Sequence, residues 1–160
     1  MTYAFFSGCK IPYFCPEYGA STKAVLKALD VDFIELEFNC CGYPVRSLDV
    51  KSFLLQAARN FAIAENRKMD ILTPCKCCFG SLQHARHFLS ENQALKEEIN
   101  ATLHVEGLTY RGAVRIRHLL SLLHTEVGVK RIGAAIKKPF QGLKVAAHYG
   151  CHALRPSAVT

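Results

Sequence analysis

Cys9, the adjacent pair Cys40-Cys41 ahead of Gly42, and the close group Cys75, Cys77 and Cys78 are the residues of this sequence best equipped for chemistry. Thiolates gathered from separate turns of a small protein usually hold a metal, and these outnumber the four that one tetrahedral zinc takes. Iron with sulfide, which prefers thiolate ligands, is therefore the expected centre. Two residues separate Cys75 from Cys78, the interval at which one turn aims two sulfurs at a single centre. Neighbouring cysteines such as Cys40 and Cys41 reach one centre only by ligating different irons or through a bridging sulfur. Gly8 and Gly42 let the backbone turn tightly beside Cys9 and the pair, and Pro44 and Pro74 stiffen the flanking segments.

The chain around these residues has 160 amino acids, half of them hydrophobic, enough for one domain with a real core and no dependence on disulfides. No stretch approaches the roughly 20 apolar residues of a bilayer crossing, and Met1 to Lys10 lacks the basic and apolar regions of a signal peptide. The expected location is the cytosol, where adjacent cysteines are better read as ligands or redox groups than as bridges. The formal charge is +7, but the basic residues are scattered and do not interleave with aromatics, so no nucleic acid partner is expected. The densest basic region, Lys130 to Lys144, suits an acidic partner protein.

Four short apolar runs read as buried strands: Tyr3 to Phe6, Phe33 to Phe38, Asp70 to Thr73 and Lys144 to His148. Helical patterns fill the intervals. Ser21 or Thr22 is the expected cap of a helix carrying Val25, Leu26 and Leu29. Val50, Phe53, Leu54, Ala57, Phe61 and Ala64 form one apolar helical face. After the third strand the helical pattern runs through Leu82, Ala85 and Leu89, then through Ile116, Leu119, Leu120, Leu123 and Val127. The predicted fold is therefore α/β, a parallel sheet flanked by helices, with every cysteine group at the carboxyl edge of the strands. Cys9 would follow the first strand, Cys40 and Cys41 the second, Cys75 to Cys78 the third and Cys151 the fourth. Cys15 falls in the loop after the first strand.

Tyr3-Ala4-Phe5-Phe6-Ser7-Gly8-Cys9 is echoed by Val145-Ala146-Ala147-His148-Tyr149-Gly150-Cys151. This internal repeat predicts a first domain at residues 1–142 and, over 143–160, the opening strand and Gly-Cys turn of a second, truncated one.

Gly8-Cys9, Cys40-Cys41-Gly42 and Cys75 with Cys78 resemble the cysteine-rich CCG domain, which occurs twice in one of the subunits of heterodisulfide reductase and in related iron-sulfur proteins. Pro16-Glu17-Tyr18, Ala57-Ala58-Arg59-Asn60, Ile71-Leu72-Thr73-Pro74-Cys75 and His148-Tyr149-Gly150-Cys151-His152 extend the resemblance along the chain. It implies a noncubane [4Fe-4S] cluster held by Cys9, Cys40, Cys41, Cys75 and Cys78. It also makes Cys151 the first ligand of a second cluster that this chain cannot complete. Cys15 and Cys77 are extra to that pattern.

The implied activity is two-electron reduction of a disulfide, with electrons supplied by iron-sulfur and flavin partner subunits and with membrane association only through such partners. His152 resembles a position near the substrate and would supply a proton; His148 would tuck against the sheet edge, and His84 and His87 would lie on the helix after Cys78. Within the same family a quinone is the alternative substrate, as in subunits attached to dehydrogenases and fumarate reductases. Outside it stand two other readings. One is a structural zinc module using Cys9, Cys40, Cys41 and one of Cys75, Cys77 or Cys78; the other is a metal-free thiol-disulfide oxidoreductase using Cys75 and Cys78.

Overall fold

The computed structural model describes residues 1–148, 150–151 and 154–159. Four parallel strands, β1 (Tyr3–Phe5), β2 (Phe33–Glu35), β3 (Ile71–Thr73) and β4 (Ile116–His118), form one sheet in the order β2-β1-β3-β4. The connections carry helices α1 (Lys10–Phe14), α2 (Pro16–Ala28), α3 (Val50–Asn66), α4 (Lys76–Glu91) and α5 (Gln93–Leu103), and α6 (Leu119–Leu122) and α7 (Val129–Ala135) follow β4. A 3-10 turn at Tyr43–Val45 follows the cysteine pair, and a π-helical turn at Leu123–Val127 joins α6 to α7. The predicted α/β class and parallel sheet are what the chain forms.

Period-two alternation divides the core between the faces of the sheet. Ala4, Phe6, Ile71 and Ile116 pack with Phe53, Leu54, Ala57, Phe61, Leu82 and Ala85 of α3 and α4. Tyr3, Phe5 and Leu72 point the other way, onto Leu26 of α2 and Leu119 and Leu122 of α6. The chain leaves β1 toward β2 on one side and returns to β3 on the other. The carboxyl ends of β1 and β3 therefore flank the switch point where open α/β sheets receive ligands.

Several expected boundaries change. The fourth strand is Ile116–His118, where the apolar period predicts a helix, while Lys144–His148 is irregular, exposed chain in no sheet. The physical reason lies in carboxylates. Glu65 accepts the backbone N–H groups of Arg111, Gly112, Ala113 and Val114 at 2.7–3.3 Å. Asp70 then takes both the backbone N–H of Arg115 (3.0 Å) and its guanidinium (2.9 Å), docking β4 beside β3. With that position filled, Cys151 does not follow a sheet strand, and His148 is exposed and not tucked against the edge. Helix α2 begins at Pro16, at its favoured first position, and Thr22 lies inside it with its hydroxyl bonded back to the Tyr18 carbonyl at 2.8 Å. Neither Ser21 nor Thr22 caps it.

Candidate metal centre

The loop after β1 is held by what it lacks. Gly8 has φ +68°, and a Cβ there would lie 2.6 Å from the Cys78 Sγ, so only glycine lets the first turn close onto the start of α4. Cys9 stands exposed beyond it, its sulfur 3.8 Å from that of Cys40. Gly42 (φ +82°) turns the chain behind the pair, and a Cβ there would meet Phe53 at 2.8 Å. Asn60, fully buried on the otherwise apolar face of α3, clamps the segment before the turn. Its Oδ1 accepts from Asn39 N at 3.0 Å, while its Nδ2 donates to the carbonyls of Asn39 (3.3 Å) and Cys40 (3.1 Å). Sequence reasoning gave Asn60 no role; a lone amide among Leu54, Ala57 and Phe61 was the available signal.

The third loop enters α4, whose cap is Cys75: its sulfur accepts from Cys78 N at 3.5 Å. A hydrogen bond from the Cys78 thiol, together with the N–H groups of Cys78 and Cys77 at the start of the helix, holds the Cys75 pKa down to about 6 despite burial. Cys41 is likewise lowered to about 7, by the Cys78 thiol first and then by the Tyr43 N–H and the Ser81 hydroxyl. Ser81 also reaches the Cys41 carbonyl at 3.4 Å. Cys78, lying between these two, is pushed up because its proton is the one they share. Burial, reinforced by the charges of Cys41 and Cys9, raises Cys40 to about 11. Stable binding of a cation would need these thiols as thiolates.

The five sulfurs implied by the resemblance thus form two contacting sets, Cys41 with Cys75 and Cys78 in the core and Cys9 with Cys40 at the surface. Beside the outer pair opens a cleft of about 290 Å³, walled by Phe5, Gly8, Tyr13, Phe38 and Asn39. Among the described residues no three His, Cys, Asp or Glu side chains stand at the spacing of a single ion. The donor set suits a soft, thiolate-preferring group that spans more than one ion.

Other sequence candidates are placed as follows. Cys77 is exposed on the first turn of α4, its thiol raised by burial and by the charges of Cys75 and Cys41, with Arg46 opposing. Cys15 is exposed at the joint between α1 and α2. Cys151 is exposed, and Gly150 before it rests against Lys76: a Cβ there would lie 2.8 Å from the Lys76 Cδ. His152 lies outside the described residues. His87 is exposed and His84 half-buried on α4.

The model of the cysteine-rich CCG domain matches residues 3–83, which contain all five sulfurs. The chain is 37% identical, over 95% of its length, to a subunit of the ferredoxin/F420H2-dependent CoB-CoM heterodisulfide reductase of Methanosarcina acetivorans, of which it covers 51%. It is 33% identical over 98% of its length to a protein of Archaeoglobus profundus that is itself described as like a heterodisulfide reductase subunit, covering 54% of it. It is 34% identical over 96% of its length to the 8-methylmenaquinol:fumarate reductase membrane anchor subunit of Wolinella succinogenes, again covering 54%. The chain spans about half the length of these relatives. A crystal structure of a hypothetical protein from Helicobacter pylori shares the fold, with a TM-score of 0.66, 23% identity, and coverage of 74% of this chain and 24% of that one. With its Gly-Cys turn, Cys-Cys-Gly turn and helix-capping cysteine inside the matched residues, the chain belongs to the cysteine-rich CCG domain family.

Proposed function

We propose that this chain is the iron-sulfur part of a heterodisulfide reductase-like complex, carrying electrons for two-electron reduction of a disulfide. The observation that carries the reading is the meeting of thiols from three loops at the switch point of the sheet. Cys9, Cys40, Cys41, Cys75 and Cys78 would hold a noncubane [4Fe-4S] cluster. Such a group, when bound, supplies single electrons together with Lewis-acidic iron. The chain's own part is to hold and shield it. Gly8 and Gly42 permit the close approach of the loops, Asn60 fixes the Cys40 backbone, and Phe6 and Phe79 are buried in the same core cluster as Cys41 and Cys78.

The finer assignments follow from the same reading. Residues 1–142 form the first domain and 143–160 open a second, whose cluster would take Cys151 as its first ligand; His152 would hand a proton to the leaving thiolate. Partners are the iron-sulfur and flavin subunits that deliver electrons. Among the described residues no helix is long and apolar enough to cross a membrane, and a cytosolic site with attachment through partner subunits is part of the proposal. The similarity to a menaquinol:fumarate reductase subunit favours a second reading, a quinone-linked role.

Anaerobic reconstitution of the chain, with paramagnetic resonance recorded before and after addition of a thiol, tests the reading. A signal that changes with thiol supports disulfide chemistry, and one that responds to a quinone alone selects the second reading. Stoichiometric zinc without acid-labile sulfide would overturn both.

A further inference from the structure

His118 ends β4 in register with Thr73 of β3, which sets it beside the Pro74-Cys75 peptide that leads the thiols into α4. It is only 5% exposed, with its ring edge-on to Phe79 at a centroid distance of 5.5 Å. The Nδ1 atom accepts from Leu120 N at 3.2 Å, so the ring proton resides on Nε2. Burial holds the histidine below its ordinary pKa, which keeps this neutral tautomer the form present. The buried Nε2–H has no partner at ordinary hydrogen-bond geometry. The Pro74 carbonyl, next in the chain after Thr73, already accepts the Tyr18 hydroxyl at 3.2 Å, and its hydrogen bonding works against the lowering of the histidine.

The carbonyl immediately before Cys75 thus holds one donor, from α2, and a second, unpartnered donor sits in register with Thr73 at the end of β4. The peptide plane they fix is the one that determines where the Cys75 side chain leaves the backbone. We propose that His118 is a positioning residue of the thiol site: its Nε2–H and the Tyr18 hydroxyl bracket the Pro74 carbonyl and so set the direction in which Cys75 presents its sulfur. Groups that hold a metal ligand from behind tune affinity in this way. The consequence for iron rests on the function proposed above; the consequence for Cys75 in the metal-free chain does not.

The experiment compares wild type, His118→Leu, His118→Gln and Tyr18→Phe in the 160-residue chain. In metal-free protein the alkylation rate of Cys75 is read against that of exposed Cys15 by peptide mass spectrometry. In anaerobically reconstituted protein the rate of iron loss to a chelator is read in parallel. His118→Leu should change the Cys75-to-Cys15 ratio about threefold or more and speed iron loss about tenfold. His118→Gln, which keeps an N–H donor, should bring both back toward wild type. An unchanged ratio in His118→Leu, or no recovery with His118→Gln, overturns the proposal. Should His118→Leu fail to fold, Tyr18→Phe removes the other donor from a half-exposed side chain; it should move the ratio about twofold, and no movement overturns the proposal equally. A wild type that takes up no iron while the ratio still responds would overturn the iron-sulfur reading and leave the positioning role standing.

Discussion

The two Gly-Cys turns of this chain share an alanine, the glycine and the cysteine at matched positions, and each follows an apolar run, but those runs have quite different structures. Gly8-Cys9 follows a strand whose residues Tyr3, Ala4 and Phe5 are all buried, as is Phe6 just beyond it, at the centre of a parallel sheet. Gly150-Cys151 leaves Lys144–His148, which is exposed throughout and joins no sheet. The difference teaches that an apolar run becomes a strand only where neighbours supply its hydrogen bonds and cover its faces. β1 has β2 and β3 on either side; the second run has no free sheet position beside β3, because β4 lies there.

The comparison breaks most decisively in the strands themselves. Phe5→Ala removes a ring from between the sheet and α2 and should cost about 3–5 kcal/mol in urea unfolding, whereas Val145→Ala, 78% exposed, should stay within about 0.5 kcal/mol. Equal losses at the two positions would mean that the second run is packed after all. The glycines should differ next. Gly8→Ala forces a side chain into a left-handed backbone and onto the Cys78 sulfur, a loss of about 2–4 kcal/mol. Gly150→Ala meets only the flexible Lys76 side chain and should cost less than about 0.5 kcal/mol by the same measurement. A smaller effect sharpens what holds the first turn's partner loop. Asn60→Ala leaves the Asn39 N–H and the Cys40 carbonyl without their clamp and should cost about 1–3 kcal/mol, with faster amide exchange confined to residues 39–42.

Much of this architecture is legible in the residues. Hydrophobic runs locate β1 and β3 because those strands are buried, and β2, mostly exposed at the sheet edge, because its run lies between strong helical patterns; the thiol groups come next in the chain after each of them. The fourth strand is not legible. Ile116 sits in an apolar series of helical period, and what makes it a strand is the grip of Glu65 and Asp70 on a loop up to 49 residues away in sequence. Pattern reading does not see side chains that bond to distant backbone. Within the site, Cys9, Cys40, Cys41, Cys75 and Cys78 stand out by type and spacing. Asn60 is marked only as a lone amide in an apolar stripe and His118 not at all, because the part such a residue plays is known only once the backbone groups around it are.

On the function proposed above, these five thiols would grip one iron-sulfur group and Cys15 and Cys77 would take no part in holding it. That central claim is tested most directly by counting iron and acid-labile sulfide in anaerobically reconstituted wild type, Cys41→Ala and Cys15→Ala. The account predicts about four of each per chain in wild type and in Cys15→Ala, and a cluster lost or rearranged in Cys41→Ala. Full counts in Cys41→Ala, with loss in Cys15→Ala, would contradict it.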